Sequence, residues 1–157
     1  MSSVELIKKL RDTTGSGIVD CKKALSENKN DIDASIKWLR EKGILKAQKK
    51  QDRETNEGVV SFYNNLSHMN FTVCKIKCET DFVAKNNDFL SFAETLSKAI
   101  HENQNITDNG VDKDLVELKI NDKSLSDCLT DLISKIGENI QIVSYKKYYS
   151  EKSIFIS

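Results

Sequence analysis

The order of apolar and polar positions divides the chain into a helical first third and a mixed remainder. Val4, Ile7 and Leu10 recur at the spacing of one helix face, with Leu6 alongside. Thr13-Thr14-Gly15-Ser16-Gly17 stops that helix, because glycine adopts backbone conformations that other residues resist. Ile18, Cys21, Ala24 and Leu25 share a face of a second helix, which Asn28-Lys29-Asn30 breaks. Asp31 is placed to cap a third helix carrying Ile32, Ile36 and Leu39, with Trp38 beside them, and Gly43 marks its expected end. Residues 1–45 are therefore expected to form a small three-helix recognition bundle.

Residues 46–57 are strongly polar and read either as a solvated helix or linker, or as a basic strip for an acidic partner surface. From Gly58 the period shortens. Val59-Val60-Ser61-Phe62-Tyr63 is a strand, Asn64-Asn65 and Ser67 to Asn70 supply a turn, and Phe71 to Cys78 runs back. In the returning strand Cys74, Ile76 and Cys78 face one way and Lys75 and Lys77 the other, which predicts a hairpin with one wet face. Phe89, Phe92, Ala93, Leu96 and Ile100 then form the stripe of an amphipathic helix. After a loop from Asn103 to Gly110, Ser124 with Asp127 resembles a capping box ahead of Leu125, Cys128, Leu129, Leu132 and Ile136. Ile140 to Tyr145 reads as a further strand, and Ser153-Ile154-Phe155-Ile156 as the start of another. Strands flanked by helices predict an α+β core with antiparallel strands over residues 58–157.

Length and charge narrow the function classes. A 60-residue piece buries only about 60% of its unfolded surface, so the first module is expected to be marginally stable alone. The 157 residues include no proline, which leaves nothing to kink a helix or stiffen a linker. Lys and Arg number 24 and so do Asp and Glu, a balance that favours a protein partner over nucleic acid, whose binders show a basic surplus. The apolar runs are too short for a membrane span, and Met1-Ser2-Ser3-Val4-Glu5 lacks a signal-peptide pattern. The expected site is the compartment of synthesis: a bacterial cytoplasm, or an organelle that makes its own proteins.

The candidate chemistry is sparse. Cys74 and Cys78 on one extended strand stand about 13 Å apart, too far for one zinc ion or a disulfide. With Cys21 and Cys128 they are expected to be ordinary buried thiols, and His68 and His101 do not improve the spacing. No nucleophile–base arrangement, phosphate loop or dinucleotide turn is evident, so neither enzymatic chemistry nor a cofactor is expected. The segment Cys78-Glu79-Thr80-Asp81-Phe82-Val83-Ala84-Lys85 says more. Phe82 either tucks beneath the next helix with Phe89 or projects as a wedge into a partner pocket, and Asp81 either caps that helix or joins the wedge. The residues alone leave both open.

Three stretches together resemble the elongation factor Ts family, nucleotide-exchange factors of the translational GTPase elongation factor Tu. They are Leu10 to Leu25, Cys78 to Lys85, and Lys135-Ile136-Gly137-Glu138-Asn139-Ile140, in the family's order and spacing. The resemblance implies a ubiquitin-associated-like helical module over 1–45, a linker over 46–57 and an α+β core. It implies that Lys8, Arg11, Ile18 and Val19 grip the GTPase domain of elongation factor Tu. Thr80, Asp81, Phe82 and Val83 would form the element that disturbs the partner's Mg²⁺ and phosphate surroundings, with Ile136 and Gly137 a second core contact. Most members carry methionine where Ile18 and Val19 stand, so the grip stays apolar but loses methionine's adaptability. The long family form continues into a second core half where the strand at Ser153 begins. The expectation is a fragment, or a short form whose sheet is completed by a second copy in a homodimer. A binding-only module is the alternative function, and RNA binding through Lys46 to Arg53 a third.

Overall fold

In the computed structural model, which describes residues 3–65 and 70–150, the helical first third forms α1 (Ser3–Thr14), α2 (Ile18–Glu27) and α3 (Ile32–Gln48). There follow β1 (Glu57–Asn64), β2 (Asn70–Cys78), α4 (Asp81–Ala84), α5 (Asn87–Glu102), β3 (Asn109–Gly110), a tight 3-10 turn at Asp112–Leu115, β4 (Lys119–Ile120), β5 (Lys123–Ser124), α6 (Leu125–Ile136) and β6 (Ile140–Tyr149). The architecture is α+β, with antiparallel strands, as the sequence pattern implies. It divides into two units, residues 1–52 with 130–137, and residues 53–129 with 138–157.

In the first unit the breaks between helices follow from backbone chemistry. Gly15 takes the left-handed conformation (φ +67°) and its N–H donates to the Arg11 carbonyl at 2.8 Å, closing α1. Lys29 and Asn30 are also left-handed, and the Asp31 carboxylate accepts from the Ala34 N–H at 2.8 Å to open α3. The core joins Leu6 and Leu10 of α1 with Cys21, Ala24 and Leu25 of α2 and Leu39 of α3. Gly43 does not end α3, which continues to Gln48. A Cβ at Gly43 would stand 2.9 Å from Ser134 Oγ, so the glycine there permits close packing and does not cap the helix.

In the second unit β1 and β2 pair antiparallel from Glu57↔Cys78 to Asn64↔Phe71, as the alternation predicts. Thr72, Cys74, Ile76 and Cys78 of β2 are buried while Lys75 is exposed. The strand order is β1-β2-β6-β3, so β2 is central, and a register shift between Lys75 and Ile76 marks a bulge against β6. β6 runs past the expected Tyr145 to Tyr149, because β2 still offers it a partner as far as Asn70. α5 packs on β1 and β2 and buries Phe89, Ala93, Leu96 and Ile100, the three larger side chains each contributing about 1.5–3 kcal/mol on leaving water. The expected turn at Ser67 to Met69 and strand at Ser153 to Ile156 lie outside the described residues.

Candidate functional site

Between β2 and α5 the chain makes a single helical turn, and its side chains part in two directions. Val83 is buried, whereas Phe82 is 83% exposed and Asp81 is exposed beside it. Phe82 therefore does not tuck beneath α5 with Phe89, which is fully buried. Nor does Asp81 cap α5. Thr80 is the N-cap of α4, its hydroxyl accepting from the Val83 N–H at 3.4 Å, and Asn86 caps α5 by accepting from the N–H groups of Asp88 (2.9 Å) and Phe89 (3.3 Å). Two helices with separate caps let Phe82 leave the stripe to which Phe89 belongs. Asp81 pairs with Lys85 at 3.0 Å across the outer side of the turn.

The base of this turn is tied to a distant stretch of chain. Glu138 accepts from the Thr80 N–H at 3.1 Å and from the Thr80 hydroxyl at 2.7 Å. Glu79 accepts from the Asn139 N–H at 2.6 Å and lies 3.5 Å from the Arg53 guanidinium. The Asn139 side chain, 2% exposed, donates to the Arg53 carbonyl at 2.8 Å, and Cys78 Sγ donates to the Thr80 carbonyl at 3.3 Å. Sequence reasoning selected Ile136 and Gly137 from the segment around these residues and passed over Glu138, Asn139, Glu79 and Arg53. Their signal lies in pairing between residues far apart in the chain, 58 positions for Glu138 with Thr80, 60 for Asn139 with Glu79 and 86 for Asn139 with Arg53, which no local pattern shows.

The remaining sequence-predicted residues belong to the first unit. Lys8 and Arg11, one turn apart on α1, are both exposed. Ile18 (56%) and Val19 (81%) stand out from the first turn of α2, while Cys21, Ala24 and Leu25 of the same helix are buried. Burial raises the Cys21 thiol pKa, the Asp20 charge reinforcing it and the Thr14 hydroxyl and the Arg11 charge opposing it. Asp20, next in sequence to Val19, is held below the usual carboxylate range chiefly by a hydrogen bond from Lys46 (2.7 Å), with Lys42 at 3.2 Å. Ile136 is half-buried at the end of α6, and Gly137 follows with φ +90° and its N–H on the Ile133 carbonyl at 2.8 Å.

Other titratable groups serve packing. Burial pushes Cys74 up to about 12 and Cys78 to about 11, so both thiols are protonated near neutrality. His101 bonds Thr72 Oγ1 at 2.9 Å, and burial with the nearby Lys147 charge lowers its pKa. Among the described residues no group of three His, Cys, Asp or Glu side chains is arranged to hold a metal ion, and no helix is long and apolar enough to cross a membrane.

Residues 79–157, which include the exposed turn and its partner segment, match the family model described as elongation factor TS. The chain belongs to the elongation factor Ts family. Residues 1–50 match a second model of that family, "Elongation factor Ts, mitochondrial, N-terminal". Relatives named elongation factor Ts include those of Clostridium perfringens strain SM101 (38% identical, covering 98% of this chain and 50% of the relative) and Clostridium kluyveri strain ATCC 8527 (38%, 100% and 51%). The Aquifex aeolicus elongation factor Ts is 38% identical over 95% of this chain and 53% of its own length. The chain thus spans about half the length of the curated relatives it matches.

Proposed function

We propose that this chain acts in translation elongation by promoting GDP release from elongation factor Tu, with no covalent chemistry of its own. The observation that carries the reading is Phe82, 83% exposed on a capped turn whose neighbour Val83 is anchored in the core. Phe82 is the most exposed of the large apolar side chains among the described residues, and a partner pocket returns about 1.5–3 kcal/mol for its burial. The exposed Ile18 and Val19 of α2, with the exposed Lys8 and Arg11 of α1 in the same unit, fit a surface for the GTPase domain with an apolar centre and a polar rim.

In this mechanism the helical module docks and the α4 turn enters beside the nucleotide. Asp81 brings a negative charge toward the partner's Mg²⁺ and phosphates, and Phe82 displaces the loops that hold them. Mg²⁺ keeps few protein ligands and relies on phosphate oxygens, so a small displacement loosens it. Binding energies are reciprocal: the chain weakens nucleotide binding by the factor with which nucleotide weakens the chain's own. Ile136 and Gly137 supply a second contact, and Val83 acts from below as an anchor. The site of action is the cytoplasm or an organelle with its own translation, and a second copy of the chain is a further partner.

A fluorescent GDP analogue bound to elongation factor Tu tests the reading: adding the chain accelerates its release severalfold or more. Binding without acceleration would leave a docking module, the second reading, which the separate core beneath Ile18 and Val19 favours.

A further inference from the structure

α4 has four residues, and so short a helix cannot hold its own geometry, because nucleation fixes several dihedral angles for a single hydrogen bond. The direction in which Phe82 projects must therefore be set from outside the turn. Three restraints do this: Val83 in the core, the Cys78 thiol on the Thr80 carbonyl, and the Glu138 carboxylate on the Thr80 N–H and hydroxyl. The thiol is a weak donor at 3.3 Å, and a single buried valine leaves rotation about its own axis. Only Glu138 grips the N-cap at two points, 3.1 and 2.7 Å, and it comes from 58 positions along the chain. Its oxygens also fix the Thr80 hydroxyl, which in turn receives the Val83 N–H, so one carboxylate orders both the entry to the turn and its cap.

We propose that Glu138 is a positioning residue for exchange: through Thr80 it aims the Phe82 turn at the partner's nucleotide site. The inference rests on the exchange reading above and assigns a role to a residue that acts through Thr80. Glu79, held by the Asn139 N–H and near Arg53, sits one residue before Thr80 and braces the same junction. Glutamine at 138 is a conservative replacement, since its carbonyl accepts from the Thr80 N–H and its amide donates to the Thr80 hydroxyl oxygen. Alanine loses both bonds.

The test is a double-mutant cycle on the full chain, read as the maximal release rate of a fluorescent GDP analogue from elongation factor Tu at saturating chain. Glu138→Ala lowers that maximum about tenfold, which corresponds to about 1.4 kcal/mol, with little change in the half-saturating concentration. Glu138→Gln restores most of it. In the Phe82→Ala background Glu138→Ala has no further effect, because there is no ring left to aim. Full additivity, or a Glu138→Ala chain as fast as the unaltered one, overturns the positioning role and leaves the exchange reading standing. An unaltered rate for Phe82→Ala overturns both. If Glu138→Ala yields no folded chain, Thr80→Ser, which keeps the hydroxyl that caps Val83 and bonds Glu138, serves as the folded reference, and Thr80→Val, which removes the Glu138 bond and the Val83 cap together while keeping the backbone bond to Glu138, takes the place of Glu138→Ala in the cycle.

Discussion

Ile18–Val19 and Phe82 are two exposed apolar groups that each stand on the first turn of a helix, yet they are held differently. Ile18 and Val19 begin α2, a ten-residue helix whose Cys21, Ala24 and Leu25 are clamped in the bundle core, so their direction follows from the helix itself. Phe82 is the second residue of a four-residue turn with one buried side chain, whose N-cap Thr80 is bonded twice to Glu138 and which, on the proposal above, Glu138 aims. The first arrangement suits a grip that needs affinity. The second suits an element that must be presented at one angle and can be tuned from a distance.

The largest effect that sharpens the contrast comes from Phe89, fully buried only a few residues from Phe82. Phe89→Ala should cost about 3–5 kcal/mol of stability in chemical denaturation, while Phe82→Ala should stay within about 0.5 kcal/mol of the unaltered chain. Comparable losses for the two would erase the distinction. Next, Ile18→Ala combined with Val19→Ala should weaken binding to elongation factor Tu by about 2 kcal/mol in titration calorimetry, with unchanged thermal stability, since both side chains are exposed. A stability loss as large as the binding loss would place them in the core instead.

Acidification should separate the two units by a smaller margin. His101 has a lowered pKa in the folded chain, so its contribution is complete above about 6.5 and is lost as pH falls from there toward the folded value. Asp20 is also lowered, from 3.8, so its contribution is complete above that value and is lost only as pH falls below it. Trp38 is the only tryptophan and reports on the first unit. Between pH 6.5 and 4 its fluorescence transition in denaturant should hold while amide exchange along β2 and α5 quickens. A Trp38 transition that moves first would reverse the assignment. Smallest of all, Lys85→Ala should change release by less than about threefold, because its pair with Asp81 is solvent-exposed.

Much of the fold is legible in the sequence because each side of an element faces a different solvent. The buried alternation of β2 and the stripe of α5 are written directly as residue type. Gly43 misleads because glycine serves two purposes, ending a helix and permitting close approach, and only Ser134 distinguishes them. Phe82 misleads for a related reason. Phe89 stands seven positions after it, so the helical period continues through it, and the break appears only when Thr80 and Asn86 are seen to cap two different helices. The Glu138 clamp lies beyond any local pattern, since its bonds join strands' ends that sequence sets far apart.

On the proposed exchange function the bundle holds elongation factor Tu and the α4 turn opens its nucleotide site. Release of a fluorescent GDP analogue, followed across a range of chain concentrations, separates these two roles. Phe82→Ala should lower the maximal rate at least tenfold and leave the half-saturating concentration nearly unchanged, whereas Ile18→Ala with Val19→Ala should raise the half-saturating concentration and spare the maximum. A Phe82→Ala chain that reaches the unaltered maximum would contradict the role of the turn.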